Sequence, residues 1–161
     1  MAPPSAGRPR ARFAILVAMA MATAFVAACG RITVTEPPAT PTDFPGLTGR
    51  LNAAGIEVRD WVSGDAGCAD PDLVPAVIRF SASGIDQATP VTMRLFVFRN
   101  RPAFERHRAA VGPCASAWVT DAETYEEVQQ SPYVLAGQGP WAPGFEAALR
   151  QVLEIAAGTG G

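Results

Sequence analysis

Apolar residues recur along this chain at distinct periods, and each period marks a different kind of segment. Phe44, Leu47, Leu51 and Ala54 fall at helical spacing. They predict a helix over 43–54, with Thr42 or Asp43 to cap it and Gly55 to end it. Gly46 and Gly49 weaken that helix by about 1 kcal/mol each relative to alanine. Alternation then takes over. Ile56 and Val58 alternate with Glu57 and Arg59, predicting a strand over 56–62. A second strand is expected over 74–82, where Ile78, Phe80 and Ala82 face away from Val77, Arg79 and Ser81; Pro75 keeps its start out of the ladder. The third, 91–98, is rich in β-branched and aromatic residues, with Val91, Met93, Leu95 and Val97 on one face.

Helical spacing returns over 102–111, where Asn100 can cap, Pro102 suits the first turn and Gly112-Pro113 reads as a stop. Two short strands are expected at 125–129 and 132–136, around a Gln130-Ser131 turn. A last helix spans 143–157, with Phe145, Ala148, Leu149, Val152 and Ala156 along its inner face. Helix, three strands, helix, two strands, helix is the order of an α+β domain. Its expected architecture is an antiparallel sheet of about five strands with helices packed on one face. The domain occupies residues 44–157, and the glycine-rich tail 158–161 should fray.

The segment before the domain has a different character. Arg8, Arg10 and Arg12 form a basic stretch without acids, and 13–28 is apolar apart from Thr23. That run of about 16 residues is shorter than the ~20 needed to span a bilayer. It ends in Val26-Ala27-Ala28-Cys29. This string resembles the bacterial lipobox, an aliphatic residue and two small ones before a cysteine. The resemblance implies a lipoprotein signal peptide over 1–28, cut just before Cys29, and a diacylglycerol on the Cys29 thiol. An ordinary signal cut nearby and an uncleaved membrane helix are the alternatives. Two acyl chains suffice for stable attachment where one is marginal. Residues 29–43 then hold the lipidated cysteine and a Pro/Thr-rich linker. Its prolines favour an extended tether reaching roughly 40 Å at ~3.1 Å per residue. In lipobox, tether and element order the chain resembles a group of short uncharacterised bacterial lipoproteins. That likeness brings no assigned activity with it. It implies an extracytoplasmic protein held on the cell membrane by palmitate-type chains.

Charge narrows the partners. All 13 basic residues are arginine, and loss of the signal would remove three of them and no acid, taking the formal charge from −2 to −5. An acidic domain outside the cytoplasm has no electrostatic reason to bind nucleic acid or an anionic membrane surface. With Cys29 lipidated, two of the three cysteines remain, Cys68 and Cys114. In an oxidising compartment they can form a disulfide closing a loop of 46 residues; two free thiols are the alternative.

Candidate chemistry is sparse. His107 is the only histidine and falls within the apolar stripe of Ala103, Phe104, Ala110 and Val111, as a core or interface histidine would. One histidine and two bridged cysteines are too few for a zinc site, and no cofactor is expected. Arg94, Arg99, Arg101, Arg106 and Arg108 could form an anion-binding patch, or pair with Asp121, Glu123, Glu126 and Glu127. Gly137-Gln138-Gly139-Pro140 lacks the lysine of a phosphate loop. Trp118, Tyr125, Tyr133 and Trp141 are a candidate ligand surface, although aromatic residues also build cores. The expected function is therefore a non-catalytic binding or interaction module of the envelope, meeting a protein or small-molecule partner. The alternative is a small envelope hydrolase using Asp/Glu residues near the C-terminal aromatic region.

Overall fold

The computed structural model describes residues 42–158, which lie within one compact unit. The expected signal over 1–28, Cys29 and nearly all of the tether lie outside the described residues, as does the end of the tail. Nine regular elements follow in order. Helix α1 is Phe44–Ala53, and strands β1, β2 and β3 are Ile56–Ser63, Val77–Gly84 and Gln87–Val97. Helices α2 and α3 are Arg101–His107 and Val111–Ala115. Strands β4 and β5 are Tyr125–Gln130 and Tyr133–Gln138, and helix α4 is Pro143–Ala157. The domain is α+β, and its five strands pair antiparallel in the order β1-β2-β3-β5-β4. Among the described residues, no helix is long and apolar enough to cross a membrane.

Strand alternation sorts the side chains onto two faces. On the first, Ile56, Phe80, Ala82, Met93, Leu95, Val128, Tyr133 and Leu135 pack under Leu47 and Leu51 of α1 and Phe145, Leu149 and Val152 of α4. The two longer helices cover this face because each carries an apolar stripe of sheet-matching width. The second face holds a separate core. There Val77, Phe96, Val134 and Ala136 pack against Leu73, Ala103, Phe104, Val111 and Cys114. Its cover is the β1–β2 connection together with the short helices α2 and α3. Helical spacing over 102–111 marked part of this cover, but a local period does not say which face of the sheet a helix packs on.

Three boundaries differ from expectation for local reasons. Residues 74–76 form a 3-10 turn before β2, since Pro75 has no amide for the ladder. The β2–β3 turn is tight, at Ile85 and Asp86, so β3 starts at Gln87 and not at 91. The expected stop at Gly112-Pro113 is overturned, because both residues lie inside α3. Proline is tolerated there as the third residue of a new helix, where its missing amide has no intrahelical acceptor.

Candidate functional site

The β1–β2 connection is a loop folded back over the second face, and three sets of bonds fix it there. Cys68 and Cys114 are joined as a disulfide, tying the loop to α3 with a Cα–Cα distance of 5.4 Å. Asp65 lies between two arginines from neighbouring strands. Its carbonyl accepts from Arg94 Nε at 3.0 Å, its Oδ1 meets Arg94 Nη2 at 3.4 Å, and its Oδ2 lies 2.6 Å from Arg79 Nε. The third set turns the chain: Asp70 Oδ1 accepts from the amides of Asp72 and Leu73 at 2.9 and 3.2 Å, and Leu73 is buried.

Arg94 is the centre of this arrangement. It is 7% exposed, and its guanidinium lies 4.3 Å from the Trp118 ring centroid. Burial pulls its pKa below the ordinary arginine value, while the Asp65 carboxylate opposes that shift. A guanidinium suits the position because it forks to an acceptor while stacking on an indole. Gly67 passes directly over Trp118 with φ at +74°; a Cβ there would lie 2.3 Å from Trp118 Cδ1. Tyr125 packs edge-on to Trp118 with centroids 6.5 Å apart, and its hydroxyl donates to Glu127. Burial and then that carboxylate raise the Tyr125 pKa.

Between this fixed loop, the end of β3 and α2 runs an open cleft of about 320 Å3. Pro71, Asp72, Pro75 and Ala76 form one wall; Phe98, Arg99, Ala103 and His107 form the other. Asn100 builds the second wall by capping α2, its side chain accepting from Ala103 N at 2.9 Å. His107 stacks on Phe98 with centroids 6.1 Å apart and an interplanar angle of 14°. Its Nδ1 lies 3.8 Å from Asp72 Oδ2, too far for a hydrogen bond and close enough for attraction when the ring is protonated. An apolar floor with a carboxylate, a guanidinium and an imidazole on its rim can seat a small ligand carrying polar groups at one end. A second hollow, of about 360 Å3, opens between α1 and α4 beside Ala53, Ala54 and Ile155; Arg50 and Gln151 are its polar lining.

The four aromatic residues expected to share a ligand surface are divided by the sheet. Trp118 and Tyr125 lie together on the second face. Tyr133 and Trp141, at 1% and 5% exposed, belong to the first core and are withdrawn from any such surface. The Tyr133 hydroxyl donates to Thr42 O, and Trp141 N donates to Glu126 Oε1 at 2.7 Å. The arginines do not gather into one patch either. Arg94 is buried in the clamp, Arg99, Arg101 and Arg106 are exposed, and Arg108 meets Glu105 at 2.9 Å and Gln129 at 2.7 Å. Among the described residues, none of Asp121, Glu123, Glu126 and Glu127 forms an ion pair; Asp65 and Glu105 take the arginines instead. Nor do three His, Cys, Asp or Glu side chains converge as a metal site requires, again among the described residues.

Sequence reasoning reached His107 but missed Asp65, Asp72 and Phe98. Only Phe98 had a visible signal, a large apolar residue at the end of a strand before the Arg99-Asn100 break. The aspartates lie in a loop whose path depends on the distant Cys114 and Arg94. No family model matches the chain, and neither a curated protein nor a solved structure matches it.

Proposed function

We propose that this protein is a lipid-anchored extracytoplasmic binding module, tethered through Cys29 and non-catalytic, which takes a small amphipathic ligand in the cleft between Asp72 and His107. The observation that carries the reading is that the cleft wall is fixed before any ligand arrives, by the Cys68–Cys114 bond and the Asp65–Arg94 clamp. A preformed wall spares the ligand the entropy of ordering a loop. The disulfide also supports an oxidising compartment, in keeping with the lipobox-like Val26-Ala27-Ala28-Cys29. Charge on the rim is mixed, with Asp72 facing Arg99 and His107, which favours a ligand with both a donor and an acceptor. The residues lining the cleft include no serine, threonine or cysteine to pair with His107 as a nucleophile.

Hydrogen exchange on the acylated chain, with and without a small-molecule extract of its own envelope, tests the binding reading. Slowed exchange confined to 71–76 and 97–107, and abolished in Arg99→Glu/His107→Ala, is the expected result. Unchanged exchange there overturns it. A hydrolytic activity lost in His107→Ala, with the fold intact, overturns the non-catalytic reading. For the anchor, palmitate incorporation should vanish in Cys29→Ser, and equal labelling of that variant refutes it.

A further inference from the structure

Trp61 is the most exposed of the large hydrophobic residues on the described surface, at 63%, and its neighbour Val62 is 43% exposed. Its position is produced by a bulge. Arg59 pairs with Ser81 and Val62 with Arg79, so Asp60 and Trp61 together oppose the single residue Phe80. Asp60 takes the extra residue's turn with φ at +52°, a left-handed conformation that an aspartate adopts more readily than most side chains. Without the bulge, strict alternation would place Trp61 on the second face with Glu57 and Arg59. With it, the indole turns to the α1 side and lies 6.0 Å from the ring of Phe44. Backbone strain of this kind is retained where the re-aimed side chain has a use.

Phe44 stands at the entrance of the domain. Two residues earlier the chain is pinned: Thr42 N donates to Ala156 O at 2.9 Å, and Thr42 O accepts from the Tyr133 hydroxyl. Twelve residues, 30–41, separate this fixed point from Cys29. Twelve residues span at most roughly 40 Å, whatever their conformation. A tether that short holds the domain at an effective concentration in the millimolar range near its anchor, so a weak surface affinity is enough for contact. Tryptophan is the side chain that settles at the headgroup level of a bilayer, its ring body apolar and its N–H polar. The charges nearby do not supply attraction of their own. Asp43 and Asp60 are acidic, and Arg59 is held 2.6 Å from Glu57.

We infer that Trp61, with Phe44 beside it on the α1 side, is a membrane-contact patch that seats the tether end of the domain on the lipid interface through apolar insertion and not through headgroup charge. The inference rests on the anchored reading. A bilayer is favoured over a protein partner because the patch lies beside the point where the tether enters. The cleft beside Asp72 and His107 is a separate feature, lined by neither of these two residues.

The test uses the mature acylated chain in phosphatidylcholine vesicles containing brominated lipid, comparing the wild type with Trp61→Phe. Trp118 and Trp141 provide the internal background. Quenching of tryptophan fluorescence should fall about twofold in Trp61→Phe and be insensitive to salt, as an uncharged interfacial contact requires. Equal quenching in the two proteins, with both acylated and vesicle-bound, overturns the patch and leaves the anchor standing. So does a Trp61-dependent cross-linked dimer, or a protein complex without quenching. Quenching that disappears in high salt also overturns it. Intact mass without diacylglycerol on Cys29 overturns the anchor, and the patch with it.

Discussion

Asp86 caps a helix that begins far along the chain: its Oδ2 accepts from Gly144 N at 2.8 Å, across a separation of 58 residues. The other oxygen takes Phe145 N, also at 2.8 Å. Helix α4 has Ala142 at its own cap position and no side chain of its own to close its first turn. The β2–β3 turn supplies that acceptor, so one hairpin and helix α4 are locked together at their ends.

Replacing Asp86 with alanine should therefore lower the denaturation midpoint and speed exchange at Gly144 and Phe145. The amide bonds, that from Gly144 first, hold the Asp86 pKa below the ordinary carboxylate value. Its contribution is complete above the unfolded pKa, near 3.9, and disappears as pH falls through the lower folded value. Melting curves of wild type and Asp86→Ala should differ at neutral pH and converge in acid.

Removing the staple with Cys68→Ser/Cys114→Ser should cost roughly 4 kcal/mol on the chain-entropy argument. The separation of 46 residues is what sets that figure. Urea denaturation with and without reductant measures it. Exchange should rise first in 64–76, since the staple holds that loop to α3.

Arg94→Lys should destabilise the domain by about 2 kcal/mol, because lysine restores the charge but neither the fork nor the stack on Trp118. Equal denaturant midpoints for Arg94→Lys and wild type would contradict the clamp. Arg59→Lys, at an exposed pair with Glu57, should by comparison change little.

Both tyrosines have pKa values raised chiefly by burial, Tyr125 with help from Glu127 and Tyr133 from Asp43. Ultraviolet titration of the native protein should then lack the phenolate step normally found near pH 10. A raised folded pKa favours the neutral phenol. This stabilisation is intact below the unfolded value and is lost as alkali deprotonates the unfolded chain first. Tyr133→Phe should remove about 1 kcal/mol with its bond to Thr42 and leave the second face undisturbed.

Helix α4 was legible residue for residue, since its apolar stripe is long and regular. The ladder core of β3 was legible from its β-branched run. Resolution faded where an element's partner was remote. The run from Arg101 to Ala115 read as one helix and a stop, yet it is two short helices joined by a 3-10 turn, shaped by the sheet face they cover. Of the candidate site, His107 stood out because it is unique in the chain. Asp72 and Phe98 acquire meaning only beside it. Trp61 is harder still, because alternation assigns it to the opposite face and only the bulge at Asp60 reverses that.

Composition and periodicity were enough to determine the class of fold, the five antiparallel strands, and Cys68 and Cys114 as a possible pair. Each of these depends on neighbours within a turn or a pleat, or on simple counting. Only the tertiary structure decided that Tyr133 and Trp141 are core while Trp118 stacks on Arg94, that Asp65 holds two arginines, and that Asp86 caps α4. Those outcomes depend on strand register, which brings together residues 14 to 91 positions apart. A side chain's neighbours at that range are set by how the whole sheet pairs and folds its loops back, and no local pattern encodes them.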